Sequence, residues 1–226
     1  MGVLRAAWLI ARKDFRIEVR SRELIYTAIF FAVACLLIFA FAFVYNGRAI
    51  DHAAAGIVWV SIVFAGTLAL GRTFERERQG DTLRALLLSP VERPAIYLGK
   101  LMAMLVFLTG IVVVILPLSA LLFDAPIFRT PGLLAAILAT GILGFAAVGT
   151  LFSAMLVRAS SRDVLLPIVL YPLTLPALIG GMQGTVALFS TEPDLALAQN
   201  WLAMLIFFDV VFVILALWTF APAMRE

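Results

Sequence analysis

The chain has 226 residues, of which 64% are hydrophobic and 14% charged, and its mean hydropathy is +1.09. That balance excludes a soluble globular protein and marks an integral membrane one. The net charge of +3 is no sign of nucleic acid, because the cations follow membrane topology, and a single cysteine, Cys35, excludes an intrachain disulfide or a cysteine metal cluster.

From Met1 to Glu23 the cations Arg5, Arg12, Lys13, Arg16, Arg20 and Arg22 are interleaved with Leu4, Trp8, Ala11, Phe15 and Val19 at helical spacing. The pattern predicts an amphipathic helix along the cytoplasmic membrane surface, with its basic residues near lipid phosphates. Residues 24–44 follow without a charge and are long enough to cross a hydrocarbon core of ~30 Å. The basic region is too long, and the apolar run exceeds the ~7–15 residues of a signal-peptide core, so this span is retained rather than cleaved.

Five further apolar runs occupy residues 53–71, 101–123, 133–157, 164–182 and 201–220. The expected fold class is an all-α polytopic membrane protein, a single transmembrane domain over residues 1–226. An even number of spans puts both termini on one side, where every cation except Arg48 and Arg129 also falls. The positive-inside rule makes that side cytoplasmic.

Between the second and third spans, residues 72–100 form the longest charged interval in the chain, RTFERERQGDTLRALLLSPVERPAIYLGK. Gly80 breaks what precedes it, Asp81 is placed to cap a new helix, and Ser89-Pro90 stops that helix. The helix predicted from Thr82 to Leu88 sets Leu83, Leu86 and Leu87 on one face, an apolar ridge flanked by charge. A soluble motor is able to grip such a ridge and push the second and third spans as a rigid body.

Inside the spans, Ala136, Thr140 and Gly144 are four apart with Gly141 and Gly149 nearby, so helix backbones can approach the fourth span closely. Pro167, Pro172 and Pro176 each remove a backbone donor from the fifth span, giving a kinked helix or a hinge. Asp209 is the one charged side chain within a span. At a cost of ~2.5–3.5 kcal/mol for an ionised acid at the bilayer centre, it is expected to be protonated, hydrogen-bonded or facing a wet cavity. Asp209, Pro172 and Pro176 are therefore the transport-pathway candidates, with a bonded structural acid and a simple kink as the plainer readings. His52, the only histidine, is a weak haem-ligand candidate at the outer end of the second span. Residues 183–200 read as a long outer connection in which Thr185 to Phe189 and Leu195 to Leu197 form short interfacial helices.

The phosphate-binding pattern G-x-x-x-x-G-K-[ST] is missing. Gly99-Lys100 has Pro94 where the first glycine belongs and Leu101 where the hydroxyl belongs, so this chain does not hydrolyse ATP by that route. There is no H-E-x-x-H helix or G-x-S-x-G turn, and Asp209 alone is too little polar lining for a pore or proton-linked carrier.

The run GIVWV from Gly56 with the charged interval after it, YPLTLP from Tyr171 and FFDVVF from Phe207 resemble the heme exporter protein B family over nearly the whole chain. The most specific part lies between Glu75 and Pro90. This family supplies the permease of the cytochrome c maturation apparatus, so the resemblance implies an ABC-2-type exporter permease fold in a bacterial inner membrane. It implies that Thr82 to Leu88 is a coupling helix and that Glu75, Arg76 and Glu77 shape a cytoplasmic gate. Gly80, Asp81, Leu83, Leu86, Leu87 and Pro90 join them in contacting the ATPase. Two permease copies would assemble with two copies of an ABC ATPase, which binds ATP and Mg, with a haem-handling membrane protein and with a further small membrane protein. ATP hydrolysis in that separate ATPase, not in this chain, would drive haem delivery or release of a haem-loaded periplasmic chaperone. Haem is then a transported or handled ligand rather than a resident cofactor. Export of another amphiphile, a lipid or drug, and a scaffold role for haem-handling partners are the alternatives.

Overall fold

The structure, a computed structural model, describes residues 2–45, 48–49, 53–73, 92–157, 159 and 161–223. Its seven helices among those residues are α1 (Val3–Ser21), α2 (Glu23–Phe43), α3 (Ala53–Thr73), α4 (Arg93–Phe123), α5 (Pro131–Met155), α6 (Arg162–Phe189) and α7 (Leu195–Ala223). Six of them, α2 to α7, are long and apolar enough to cross a membrane. The chain is thus a polytopic helical membrane protein. The described strand pairing is confined to a two-residue antiparallel ladder, Val44–Tyr45 against Arg48–Ala49, in the connection from α2 to α3.

α3 and α5 form the centre. Their most apolar windows are 67% and 61% buried, against 22–33% for the other four spans, so α2, α4, α6 and α7 surround them. Lipid tails are as apolar as leucine and give helices no hydrophobic reason to associate, so close packing has to come from small residues. α5 supplies them, with Gly141, Gly144, Ala146, Ala147, Gly149, Thr150 and Ser153 all buried. The small-residue spacing predicted for this span is what lets its neighbours in. Leu70 of α3 sits over Gly149, Asp209 and Phe208 of α7 over Gly144, and Trp59 of α3 over Gly141.

Three contacts define one end of the bundle. Arg72 near the end of α3 pairs with Glu23 at the start of α2 at 2.9 Å. The Tyr97 and Phe220 rings, from the start of α4 and the end of α7, have centroids 5.5 Å apart. Ser153 Oγ near the end of α5 donates to the Leu70 carbonyl at 2.8 Å. At the opposite end Arg129 donates to the carbonyls of Ser190 and Thr191 at 3.0 and 3.1 Å, fastening the α4–α5 turn to the α6–α7 turn.

Three helix bounds differ from the sequence reading for clear reasons, the start of α4, the end of α6 and the start of α7. α4 starts at Arg93, about two turns before the expected span, because Pro94 in its first turn is pre-set for helix and Tyr97 finds a partner in the Ala147 carbonyl at 3.0 Å. The expected short outer helices are absent as separate elements: Thr185 to Phe189 is the last part of α6, and Leu195 to Leu197 opens α7. Nothing breaks the helix until Ser190, and Asp194 then caps α7 by accepting from the Leu197 N–H at 2.9 Å. α6 stays a single helix through Pro167, Pro172 and Pro176.

Candidate functional site

Much of the predicted partner surface lies outside the described residues: Glu75, Arg76, Glu77, Gly80, Asp81, Leu83, Leu86, Leu87 and Pro90, the helix Thr82 to Leu88, and also His52. What the structure does give is the helical framework that carries this segment, with Thr73 closing α3 on one side and Arg93 opening α4 on the other.

α4 is anchored by the N-terminal helix. This helix, α1, packs along it, with Ala6, Ala7, Ile10 and Ala11 buried. The backbones come together at Gly99, where an added methyl group would stand 2.8 Å from the Ala7 carbonyl oxygen and 2.7 Å from Ile10 Cβ. One position on, Lys100 Nζ reaches the Asp14 carboxylate at 2.8 Å, and the lysine is only 2% exposed. Asp14 also accepts from Lys13 at 2.9 Å. A buried ion pair of this kind adds little net stability but penalises any arrangement that separates it. This docking corrects the surface-helix expectation in one respect: Ala11 faces the protein, whereas Leu4, Trp8, Phe15 and Val19 remain exposed.

α3 is held at its middle by Trp59. Its indole lies against both Gly141 of α5 and Gly181 of α6, and a Cβ at either glycine would overlap the ring. Trp59 Nε1 donates to Thr185 Oγ1 at 3.0 Å, and that hydroxyl donates on to the Gly181 carbonyl at 2.7 Å. Beside this wedge a cavity of about 320 Å³ lies between α3 and α6, lined by Gly56, Trp59, Phe64, Tyr171, Leu175, Ile179 and Met182 among others, and none of its described lining residues is charged. Phe64, Leu175 and Ile179 on its rim are exposed, and the Thr67 and Tyr171 hydroxyls meet at 3.3 Å close by.

The three transport-pathway candidates are not brought together. Pro172 and Pro176 are exposed on the outer side of α6 near this cavity. Asp209 is 5% exposed and points from α7 at Gly144 of α5, outside the cavity lining. Among the described residues both of its carboxylate oxygens are buried without a hydrogen-bond partner, so the bonded alternative is not realised there. Sequence reasoning missed Trp59, Lys100 and Asp14. A tryptophan opposite glycine-bearing spans, and an acid set among the cations of the first helix, were the available signals.

The protein-family model described as CcmB protein matches residues 5–226. The chain belongs to the CcmB family. Its curated relatives include "Heme exporter protein B" of Escherichia coli K12, 32% identical over 96 residues, 42% of this chain and 44% of the relative. The matched part therefore spans less than half the length of that relative. Proteins with the same name from Pseudomonas aeruginosa and Rhodobacter capsulatus match at 29% over 174 residues and 26% over 172 residues. Those two matches cover 76% of this chain each, and 77% and 78% of the respective relative. As a CcmB family member with six candidate spans, the chain is a multi-pass membrane protein.

Proposed function

We propose that this CcmB family member is the transmembrane permease of an ABC transporter in cytochrome c biogenesis. It couples ATP hydrolysis by a separate ATPase to haem delivery, or to release of the haem-loaded periplasmic chaperone. The observation that carries this reading is family membership across residues 5–226, which includes the whole charged interval. In this reading the ridge of Leu83, Leu86 and Leu87 receives the ATPase, with Glu75, Arg76, Gly80, Asp81 and Pro90 around it. The haem-handling membrane protein, the further small membrane protein and a second permease copy complete the assembly, in a bacterial inner membrane with both termini cytoplasmic. Asp209, Pro172 and Pro176 remain candidates for the path between the two faces.

The mechanical part of the proposal draws on the framework. A push on residues 74–91 acts directly on α3 and α4, and α4 carries α1 with it through Gly99 and the Lys100 pair. Because packed helices move as bodies rather than bending freely, the displacement reaches the Trp59 wedge between α5 and α6. Leu86→Arg is the test. The variant inserts normally but lowers both ATPase activity of the assembled complex and membrane cytochrome c; normal cytochrome c would overturn the reading.

One observation favours a second reading, export of a different amphiphile. The described lining of the cavity between α3 and α6 is apolar and aromatic, and among the described residues it holds no cation to meet the two carboxylates of haem. A deletion strain with intact c-type cytochromes and altered lipid or drug export would select that alternative.

A further inference from the structure

The cavity between α3 and α6 is a slot with two ends. At one, Gly56 and Met182 face each other, since a methyl group added at Gly56 would stand 3.9 Å from the Met182 sulfur. At the other, the Thr67 and Tyr171 hydroxyls meet at 3.3 Å and α3 closes on α6. Gly56 and Thr67 are eleven residues apart, as are Tyr171 and Met182, so ~16 Å of helix separates the two ends. That is about one leaflet of a ~30 Å hydrocarbon core. Spread over this height, the volume of about 320 Å³ gives a section of roughly 20 Å², one carbon chain at packing distances of ~4 Å. A flat macrocycle is several chains wide and does not fit.

The polar side chains along the slot are already engaged with one another or with the helices. Trp59 Nε1 donates to Thr185, Thr67 uses its one hydroxyl hydrogen on the Val63 carbonyl at 2.8 Å, and Tyr171 is thereby left to donate to Thr67. Among the described residues no side-chain donor is left for a ligand, so the occupant that fits is plain hydrocarbon. Water does not fit such a site, because it needs polar partners. Phe64, Leu175 and Ile179 on the rim are exposed, so the slot opens sideways toward the bilayer.

We infer that the slot lodges a single acyl chain of a membrane lipid, which enters from the side and stands along Trp59 between the two helices. The chain supplies the dispersion contacts that the facing walls of α3 and α6 do not make with each other, and so sets the spacing of these helices. It is lodged rather than passed on, because the slot ends blind at the Thr67–Tyr171 contact instead of continuing to the Arg72 end of α3. This site is independent of what the protein transports.

The test uses the full chain carrying Trp8→Phe, Trp201→Phe and Trp218→Phe, which leaves Trp59 as the one indole. It is placed in nanodiscs of phosphatidylcholine with acyl chains brominated midway, bromine being a short-range quencher of indole emission. Trp59 is 3% exposed, so a chain has to enter the slot to touch it. Its emission falls several-fold relative to unbrominated phosphatidylcholine. Gly56→Leu fills the slot at a position where the Met182 sulfur is the near neighbour, and it recovers more than half of the lost emission. Leu178→Phe, a plug from the α6 wall, does the same, whereas Gly110→Leu on the open side of α4 recovers none. Unquenched Trp59 in the brominated discs overturns the proposal, and so does quenching that both plugs leave unchanged. The measurement needs neither ATPase nor haem, so failure of the transporter reading does not alter its outcome.

Discussion

The Asp14 carboxylate lies 2.8 Å from Lys100 Nζ across the contact of α1 with α4, near the start of the helix in which the charged interval ends. Removing one member of a buried pair is far worse than removing both. Asp14→Asn is therefore expected to cost about 3 kcal/mol, and the double variant Asp14→Leu/Lys100→Met to recover most of it. A double-mutant cycle of thermal unfolding in detergent checks this, with recovery of less than half counting against the pair as the link.

Gly99 is the second fastening. Gly99→Leu has no room beside Ala7 and Ile10, so it lifts α1 from α4. Limited trypsin digestion reads the effect, because cleavage at Arg12 and Arg16 becomes faster by an order of magnitude or more as the helix is freed, on the principle that cutting follows the open population. Gly110, where an added methyl meets nothing, is the control site, and Gly110→Ala leaves digestion unchanged.

At the centre, Trp59→Ala leaves a void worth about 3–5 kcal/mol and removes the donor to Thr185. Trp59→Phe costs less, about 1 kcal/mol, since most of the ring contact survives. Gly181→Ala destabilises by about 1–3 kcal/mol through overlap with the indole, and Trp59→Ala relieves most of that penalty. Melting temperatures of the three single variants and of the Trp59→Ala/Gly181→Ala pair check the order.

For Asp209 the informative change is to asparagine, which keeps the shape and removes the ionisable proton. Its thermal stability stays within about 1 kcal/mol of the wild type, because both carboxylate oxygens lack hydrogen-bond partners to lose among the described residues. Cytochrome c content falls several-fold if Asp209 belongs to the transport path. Unchanged cytochrome c removes it from the candidates.

The spans, their number and the tight faces of α5 are legible in the sequence because each is a local property: runs of apolar residues, and small residues four apart. Gly141, Gly144 and Gly149 stand out as sites of approach, but the large groups filling them, Trp59, Asp209 and Leu70, come from other helices and no local spacing announces them. The same holds for Lys100. In sequence it closes a charged stretch and counts as one more cation beside the membrane; in the fold it is buried because α1, from far earlier in the chain, covers it. Asp14 is hidden by its neighbours, an acid among arginines whose direction depends on the rotation of α1. The apolar stripe of α1 is plain from its spacing, but it divides between two environments because α4 occupies one side.

α1 is bound to α4 by side chains but continues covalently into α2 through Arg22, whose φ of 57° makes it one of only two described non-glycine residues with a positive value. If α4 slides relative to α2, α1 has to follow the former while its last residue stays with the latter. The torsions of Arg22 then serve as a swivel between two halves of the molecule.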